Sequence, residues 1–338
     1  MNVGILGCGL IGQKRAAAVQ APDRVSLVAD VLPERAATLA RSSGARGVSA
    51  EELVRDPGVD IVVIATPHNQ LASLALAAVQ QGKHVLLEKP GACRAKELEP
   101  VRKLAESRGL CVHVGFNHRF HPAMQKARSL IDAGELGPLY YVRGRYGHGG
   151  RPGYDREWRA KPEISGGGEL LDQGAHLIDL ASWYLGAPFV DVHGVIATYF
   201  WDMPVEDNAF LTLRTASGMT AQLQVTWTEW KNLFSLEIVG RDAKLQVDGL
   251  GGSYGTERLS FFKMKPEMGP PDTTIWEYPG ADTSWVEQWR HVRREIAERR
   301  VACEPGLSST QAVLSVVERV YVQNQVSWLA AGPNGAAE

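Results

Sequence analysis

A chain of 338 residues, 44% of them hydrophobic, is long enough for two domains and a sizeable core. Its 36 Lys and Arg nearly cancel its 38 Asp and Glu, and a formal charge of -2 excludes both a nucleic-acid footprint and a polybasic membrane anchor. No apolar run approaches the ~18 residues of a spanning helix, and Cys8, Cys93, Cys111 and Cys303 are scattered with neither metal spacing nor a paired framework, so a reducing cytoplasm is the expected home.

In chain order, short β-rich runs alternate with helical ones. The apolar start lacks a basic leader and runs straight into glycines, so it reads as a first strand and not as a signal peptide. Residues 3–6, 25–29, 61–65, 85–87 and 111–114 have the continuous apolar character of strands buried on both faces. Residues 10–20, 33–41, 69–81 and 95–107 carry helical patterns between them, with Pro100 expected to kink the last or lie near its start. Strict alternation predicts an α/β doubly wound parallel sheet.

After Asn117 the character changes. Residues 123–132 read as a helix and 138–146 as β. Residues 220–228 alternate cleanly, with Ala221, Leu223, Val225 and Trp227 on one face and Gln222, Gln224 and the threonines on the other. Phe234, Leu236 and Ile238 repeat that period, which predicts an antiparallel sheet with one apolar face. Two late helices, 284–300 and 308–328, precede a small polar tail expected to be disordered. The boundaries drawn are 1–118 for a dinucleotide-binding domain, 119–330 for a substrate-binding and oligomerisation domain, and 331–338 for the tail.

Three motifs carry chemistry. In Gly166-Gly167-Gly168-Glu169-Leu170-Leu171-Asp172-Gln173-Gly174-Ala175-His176, Asp172 and His176 lie four apart and share one helix face, with Asp179 a turn further on. Leu170, Leu171, Leu177, Ile178 and Ala181 take the opposite arc, and the triple glycine is expected to let a ligand approach the backbone. A solvated surface Asp–His pair is the plain alternative. Gly7-Cys8-Gly9-Leu10-Ile11-Gly12 follows a strand and opens a helix: Gly7 for the tight turn, Gly9 for approach to a pyrophosphate, Gly12 for close packing. Asp30, ending the next strand, would bind ribose hydroxyls and repel a 2′-phosphate, and Val31 and Leu32 offer no cation to hold one, which favours NAD over NADP. Glu88-Lys89-Pro90 ends a strand at the sheet edge where such folds bind ligands, and its functional reading is a Lys89 ammonium pointed at a reacting oxygen.

Weaker signals stand beside these. His118 and His121 have a spacing some metal sites use, but without a third ligand no metal site is expected. Arg143, Arg145, Arg151, Arg156, Arg159 and Lys161 could hold an anionic substrate portion such as phosphate, and Trp158 could stack on a sugar ring.

Together with Ala65-Thr66-Pro67, the run from Gly82 to Pro90 and Gly115-Phe116-Asn117-His118-Arg119-Phe120-His121-Pro122, these motifs resemble the glucose–fructose oxidoreductase / inositol dehydrogenase / rhizopine-catabolism (Gfo/Idh/MocA) family over nearly the whole chain. The resemblance implies an N-terminal Rossmann domain and a C-terminal α/β domain with a large open, mainly antiparallel sheet, assembled as a homodimer or homotetramer. It implies NAD-dependent hydride transfer at a secondary alcohol or ketone of a sugar or cyclitol, possibilities that include phosphorylated and nucleotide-linked sugars. Carried over by position, Lys89, Asp172 and His176 are catalytic. The cofactor set is Gly7, Gly9, Leu10, Ile11, Gly12, Asp30, Ala65, Thr66, Pro67, Glu88, Lys89 and Asn117. The substrate set adds Arg119, Trp158 and Arg159 to the catalytic three. One departure is Leu71, where many relatives have histidine. Rival readings are an NAD-dependent glycoside hydrolase that oxidises its substrate transiently, and a non-catalytic cofactor sensor, against which the retention of Lys89 and His176 speaks.

Overall fold

The computed structural model describes residues 1–300 and 302–330, and the tail expected at 331–338 lies outside the described residues. The first stretch runs β1 (Asn2–Leu6), α1 (Leu10–Ala18), β2 (Arg24–Ala29), α2 (Pro33–Ser43), β3 (Arg46–Gly47), α3 (Ala50–Arg55), β4 (Ile61–Ile64), α4 (His68–Gln80), β5 (His84–Leu87), α5 (Glu99–Arg108) and β6 (Val112–Val114). There follow α6 (Pro122–Asp132), β7 (Leu139–Gly147), α7 (Pro162–Ser165), α8 (Ala175–Leu185), β8 (Phe189–Ala197), β9 (Asn208–Thr215), β10 (Thr220–Thr226), β11 (Leu233–Gly240), β12 (Ala243–Asp248), β13 (Glu257–Lys263) and β14 (Asp272–Tyr278). Three helices end the described chain: α9 (Ser284–Ala297), α10 (Leu307–Gln323) and α11 (Ser327–Ala330). None of the helices is long and apolar enough to cross a membrane, among the described residues.

The chain forms two units. One comprises Met1–Asn117 with Trp285–Gln311, the other His118–Ser284 with Ala312 onward. A single boundary at 118/119 does not carry this return of the chain to its first unit. The return follows from packing: Trp289 and Val292 of α9 join Val3, Ile5 and Val28 in one buried cluster. Cys111 and Cys303, read from the sequence as unrelated, are joined by a disulfide across 192 residues of chain. Spacing along a sequence cannot show a pair that only the return of α9 creates.

In the first unit, six parallel strands take the order β3-β2-β1-β4-β5-β6, the doubly wound arrangement. Ile61, Val62, Val63 and Ile64 of β4 are all fully buried, as a central strand covered on both faces requires. Pro100 lies in the first turn of α5, where its missing N–H costs nothing. The sequence reading missed β3, only two residues long, and α3, which Ser49 caps by accepting from the Glu52 amide at 3.1 Å.

A buried polar network ties this unit together. Arg15 of α1 donates from Nε to Glu88 Oε1 at 2.5 Å and from Nη1 to Gln288 Oε1 at 2.8 Å, while Gln288 Nε2 donates to the Val114 carbonyl at 3.0 Å. Gly115 is small because the pair sits on it: a Cβ there would lie 2.7 Å from Arg15 Nη2 and 2.8 Å from Glu88 Oε2.

The second unit is built on a sheet of order β14-β13-β12-β11-β7-β10-β9-β8. Its pairs are antiparallel except β7 with β10, which run parallel at the centre. Val142, Leu211, Leu213, Ala221, Leu223, Val225, Phe234, Leu236 and Ile238 form its buried face. Gly144 of β7 lets α8 come close, since a Cβ there would already touch Leu177 at 3.4 Å. The alternation of β10 breaks at its end, where Thr226 is buried and its Oγ1 accepts from the Thr228 amide at 2.8 Å.

Removing Arg15 should expose the cost of the network. Arg15→Met leaves the Glu88 carboxylate buried beside an apolar chain, and the expected loss is about 3–5 kcal/mol in urea denaturation. A loss below about 1 kcal/mol, the scale of a surface pair, would contradict this account.

Candidate functional site

The first unit supplies a cradle at the strand ends. Gly7 leaves β1 with φ of 90°, and a Cβ on it would lie 2.4 Å from the Ala65 carbonyl oxygen. Gly12 packs on the same loop, its imagined Cβ 1.9 Å from the Gly7 oxygen. Gly9 is different, because nothing lies within 4 Å of where its Cβ would stand. Helix α1 begins there with no side-chain cap, so the amides of its first turn, at Leu10, Ile11 and Gly12, are the polar groups that the helix end presents.

Asp30 is fixed in place by the Cys8 amide at 2.6 Å and the Leu32 amide at 2.8 Å. Thr66, following Ala65 at the end of β4, has a buried hydroxyl with no hydrogen-bond partner among the described residues. Leaving such a group unsatisfied costs about 1–3 kcal/mol, so the position calls for a polar ligand. The open Gly9 backbone, the uncapped helix end and the Thr66 hydroxyl together fit a dinucleotide. Burial, then the charge of Asp30, pushes the Cys8 thiol up to about 11, and burial pushes Cys93 up to about 12. Neither is a nucleophile at neutral pH.

The Glu88 carboxylate, expected as a cofactor contact, accepts from Arg15 Nε and pins it inside the unit. Lys89 is half-buried just beyond β5, and Asn117 is buried in a short 3₁₀ turn, its amide donating to the Gly115 carbonyl at 2.9 Å.

The second unit holds the Asp–His run. Leu170–Gly174 forms a π-helical turn that passes directly into α8, a rare geometry that concentrates at functional sites. Asp172 and His176 are both more than nine-tenths buried, so this is not the solvated surface pair. Arg159 Nε donates to Asp172 Oδ2 at 3.1 Å, and its guanidinium lies over the Trp158 ring at 4.5 Å. Of the four residues expected here, Trp158, Arg159, Asp172 and His176, the first three are in contact in series.

Sequence reasoning missed the aromatic surround. The His176 ring stacks on His118 with centroids 3.7 Å apart and planes 12° from parallel. Tyr146 meets His118 at 5.3 Å and Tyr254 at 5.2 Å, and Gln173 Nε2 donates to the Tyr254 hydroxyl at 3.2 Å. Burial holds the Tyr146 phenol well above its usual range, helped by Tyr254, Glu169 and Asp172, and burial raises Tyr254 as well. Both are neutral at physiological pH. No local pattern marks these residues, which come from β7, the chain after β6 and the loop after β12.

Arg119, read as a substrate contact, makes a buried bidentate pair with Asp179, Nε to Oδ2 at 2.8 Å and Nη2 to Oδ1 at 2.6 Å. Three residues of the basic stretch are held in separate ion pairs, Arg143 with Glu237, Arg151 with Glu157 and Arg159 with Asp172. His118 and His121 meet edge-on with ring centroids 5.6 Å apart, and the latter's Nδ1 lies 2.9 Å from Glu257 Oε2. The triple glycine admits protein and not a ligand: a Cβ on Gly167 would lie 2.0 Å from the Tyr321 hydroxyl, and one on Gly168 2.1 Å from the Glu206 carbonyl oxygen. The Glu206 carboxylate accepts from the Gly168 and Leu170 amides, each at 3.1 Å, and from the Tyr321 hydroxyl at 2.7 Å.

Residues 1–116 match the model of the oxidoreductase family with an NAD-binding Rossmann fold, and residues 124–246 match that of the GFO/IDH/MocA C-terminal domain. A levoglucosan dehydrogenase of Pseudarthrobacter phenanthrenivorans is 30% identical over 233 residues, 64% of this chain and 59% of that enzyme. An inositol 2-dehydrogenase of Rhizobium meliloti is 27% identical over 342 residues, 97% of this chain and 99% of that one. The solved structure of a levoglucosan dehydrogenase in complex with NADH and L-sorbose shares the fold, with a TM-score of 0.83 at 24% identity over 96% of this chain and 97% of its own.

Glu206 sets a pH dependence of stability. Burial pushes its carboxyl up to about 7 against the pull of the Tyr321 hydroxyl and of the Glu206, Leu170 and Gly168 amides. A folded pKa above the unfolded one favours the protonated form, so the associated stability is full below about 4.5 and is lost as pH rises toward about 7. A shift of that size corresponds to something on the order of 3 kcal/mol. Glu206→Gln keeps the shape and removes the charge, so its unfolding free energy should gain on the wild type across that window. Parallel curves for the two proteins between pH 4.5 and 7 would contradict the assignment.

Proposed function

From its membership of the Gfo/Idh/MocA oxidoreductase family, whose NAD-binding Rossmann fold this chain carries, we propose a dehydrogenase acting on a secondary alcohol or ketone of a sugar, cyclitol or nucleotide-linked sugar. The observation that carries the reading is the buried π turn with Asp172, braced by Arg159, and His176, stacked on His118. An acid–base group kept from water on a rigid turn suits proton transfer to one substrate oxygen.

The Gly9 backbone, the first-turn amides of α1, Asp30 and Thr66 are the groups proposed to hold NAD, which when bound supplies the hydride acceptor or donor. The chain's own residues do the rest. In oxidation, His176 accepts the hydroxyl proton on an imidazole nitrogen; in reduction it returns one. Asp172, with its carboxylate oriented by Arg159, positions the imidazole or the substrate hydroxyls. Lys89 supplies positive charge to the same oxygen as negative charge develops on it. Trp158 remains the stacking surface for a sugar ring, and Glu88 and Arg119 hold Arg15 and Asp179 in place.

The test is a screen of purified protein against sugars, cyclitols and nucleotide sugars with NAD and with NADP, following nicotinamide absorbance. Sustained turnover, faster with NAD, is expected; product release with no net absorbance change would favour the hydrolase. On the substrate found, His176→Ala should cut turnover by roughly 10²–10⁴-fold while leaving cofactor binding intact. The wild-type oxidation rate should rise with pH through the histidine range, because only a neutral imidazole accepts the proton. Near-normal turnover in His176→Ala would move the base elsewhere.

The outward face of the large sheet offers a place for a second copy of the chain. Val195 and Phe210 are exposed cross-strand neighbours on β8 and β9, continuous with Thr212, Gln222 and Gln224. We propose a homodimer or homotetramer through this face. Light scattering at micromolar concentration should give a multiple of the 36.9 kDa chain, reduced in Phe210→Glu; a monomeric wild type would refute the proposal.

A further inference from the structure

The returning segment brings four metal-ligating side chains together inside the first unit. Cys111 immediately precedes β6, His113 lies in it, Glu295 is on α9 and Cys303 is in the chain before α10. One ligand atom of each lies within 4.8 Å of all the others, and all four residues are buried. His113 is fully buried, with Nε2 2.6 Å from Glu295 Oε2.

The surroundings hold these groups in place from several sides. The His113 backbone bridges to Gly306, and the Val114 amide donates to the Pro305 carbonyl at 2.9 Å, so the stretch after Cys303 is laced to β6. His291, one turn before Glu295 on α9, packs edge-on against His113 at 5.4 Å and reaches the Glu304 carbonyl with Nε2 at 2.7 Å. Arg300 approaches Glu295 only at 4.0 Å. None of these residues takes part in the proposed dehydrogenase chemistry.

We propose that, in the dithiol form of the protein, Cys111, His113, Glu295 and Cys303 bind one Zn(II) ion that fastens α9 to the last strand of the parallel sheet. Two sulfurs, an imidazole nitrogen and a carboxylate oxygen are a tetrahedral zinc set with no place for a hard cation such as Mg(II) or Ca(II), which takes oxygen ligands. Bonds of about 2.0–2.3 Å in a tetrahedron place ligand atoms about 3.3–3.8 Å apart, inside the span observed here. The disulfide and the ion exclude one another, because sulfur ligates zinc as thiolate. A phosphine supplies the two electrons that cleave the S–S bond to two thiols and leaves as its oxide, with oxygen from water. Each thiol then loses a proton to bind the ion.

The experiment uses full-length protein, reduced with a phosphine, stripped by a chelator and titrated without oxygen, first with Co(II) and then with Zn(II). One Co(II) per chain is expected, with the ligand-field bands of a tetrahedral site and a thiolate-to-cobalt charge-transfer band, both displaced by Zn(II). Saturating zinc at a thousandfold excess over Kd should raise Tm on the order of 10 °C. Cys111→Ser and Cys303→Ser should lose the charge-transfer band or weaken binding more than about tenfold, a typical scale for a disturbed metal site, and Cys93→Ser should keep both. Should the serine variants not fold, anomalous scattering at the zinc edge from wild-type crystals should place the ion between Cys111 and Cys303. An octahedral cobalt spectrum, binding that survives both serine variants, or a zinc-edge map without that peak would overturn the proposal. So would a disulfide that resists the phosphine in the folded protein.

Discussion

The first unit depends on one buried cation. Arg15 has no route to water, and its charge is tolerable only because Glu88 and Gln288 meet it inside the unit. The geometry this imposes reaches well beyond the pair. It fixes α1, and with it the glycine loop at its start, to the residue directly before Lys89. It also gives α9 a reason to return across more than half the chain, since Gln288 both receives Arg15 and donates to the Val114 carbonyl. An apolar contact of equal area could slide; a charge with two directed partners cannot do so without stranding one of them. Registry of the cradle against the lysine is therefore what the network supplies, more than net stability.

The second unit solves a similar problem with a different acid. Glu206 anchors the start of the Asp–His run by accepting from the Gly168 and Leu170 amides and from Tyr321, with no cation among those donors. Neutral donors do not repay the burial of a full charge, and this is why Glu206 is pushed up to about 7. The glycines at 167 and 168 belong to this anchor. Their missing side chains make room for Tyr321 and the Glu206 backbone, and the chain then enters the π turn already fixed at both ends.

How much of this was legible follows from the range of each interaction. The parallel sheet was legible because each strand is a continuous apolar run with a helical pattern on either side, a signal contained in a few residues. The two-residue β3 has no such run. Asp172 and His176 were legible because helical spacing is local, as was the glycine cradle. The pairings of charged residues were not legible where the partners lie far along the chain: Glu88 is 73 residues from Arg15, and Arg119 is 60 from Asp179. The stack of His118 on His176 and the meeting of Cys111 with Cys303 were invisible for the same reason, since only the fold makes them neighbours.

The electrostatic character of the second unit narrows which group can change its charge during turnover. Arg119 and Asp179 are locked to one another, and Arg159 is committed to Asp172. The phenols of Tyr146 and Tyr254 are both held neutral by burial. Around the π turn this leaves the stacked imidazoles as the groups whose ordinary titration spans physiological pH. Glu206 complicates that inference, because its carboxyl titrates in the same range while accepting from the Leu170 amide at the start of the turn. Ionisation of Glu206 would loosen the anchor and could move the rate without taking part in the chemistry. A pH limb near neutrality therefore belongs to the histidine only where it persists with glutamine at position 206, and the slope of stability and the slope of turnover have to be separated in the same protein before either is assigned.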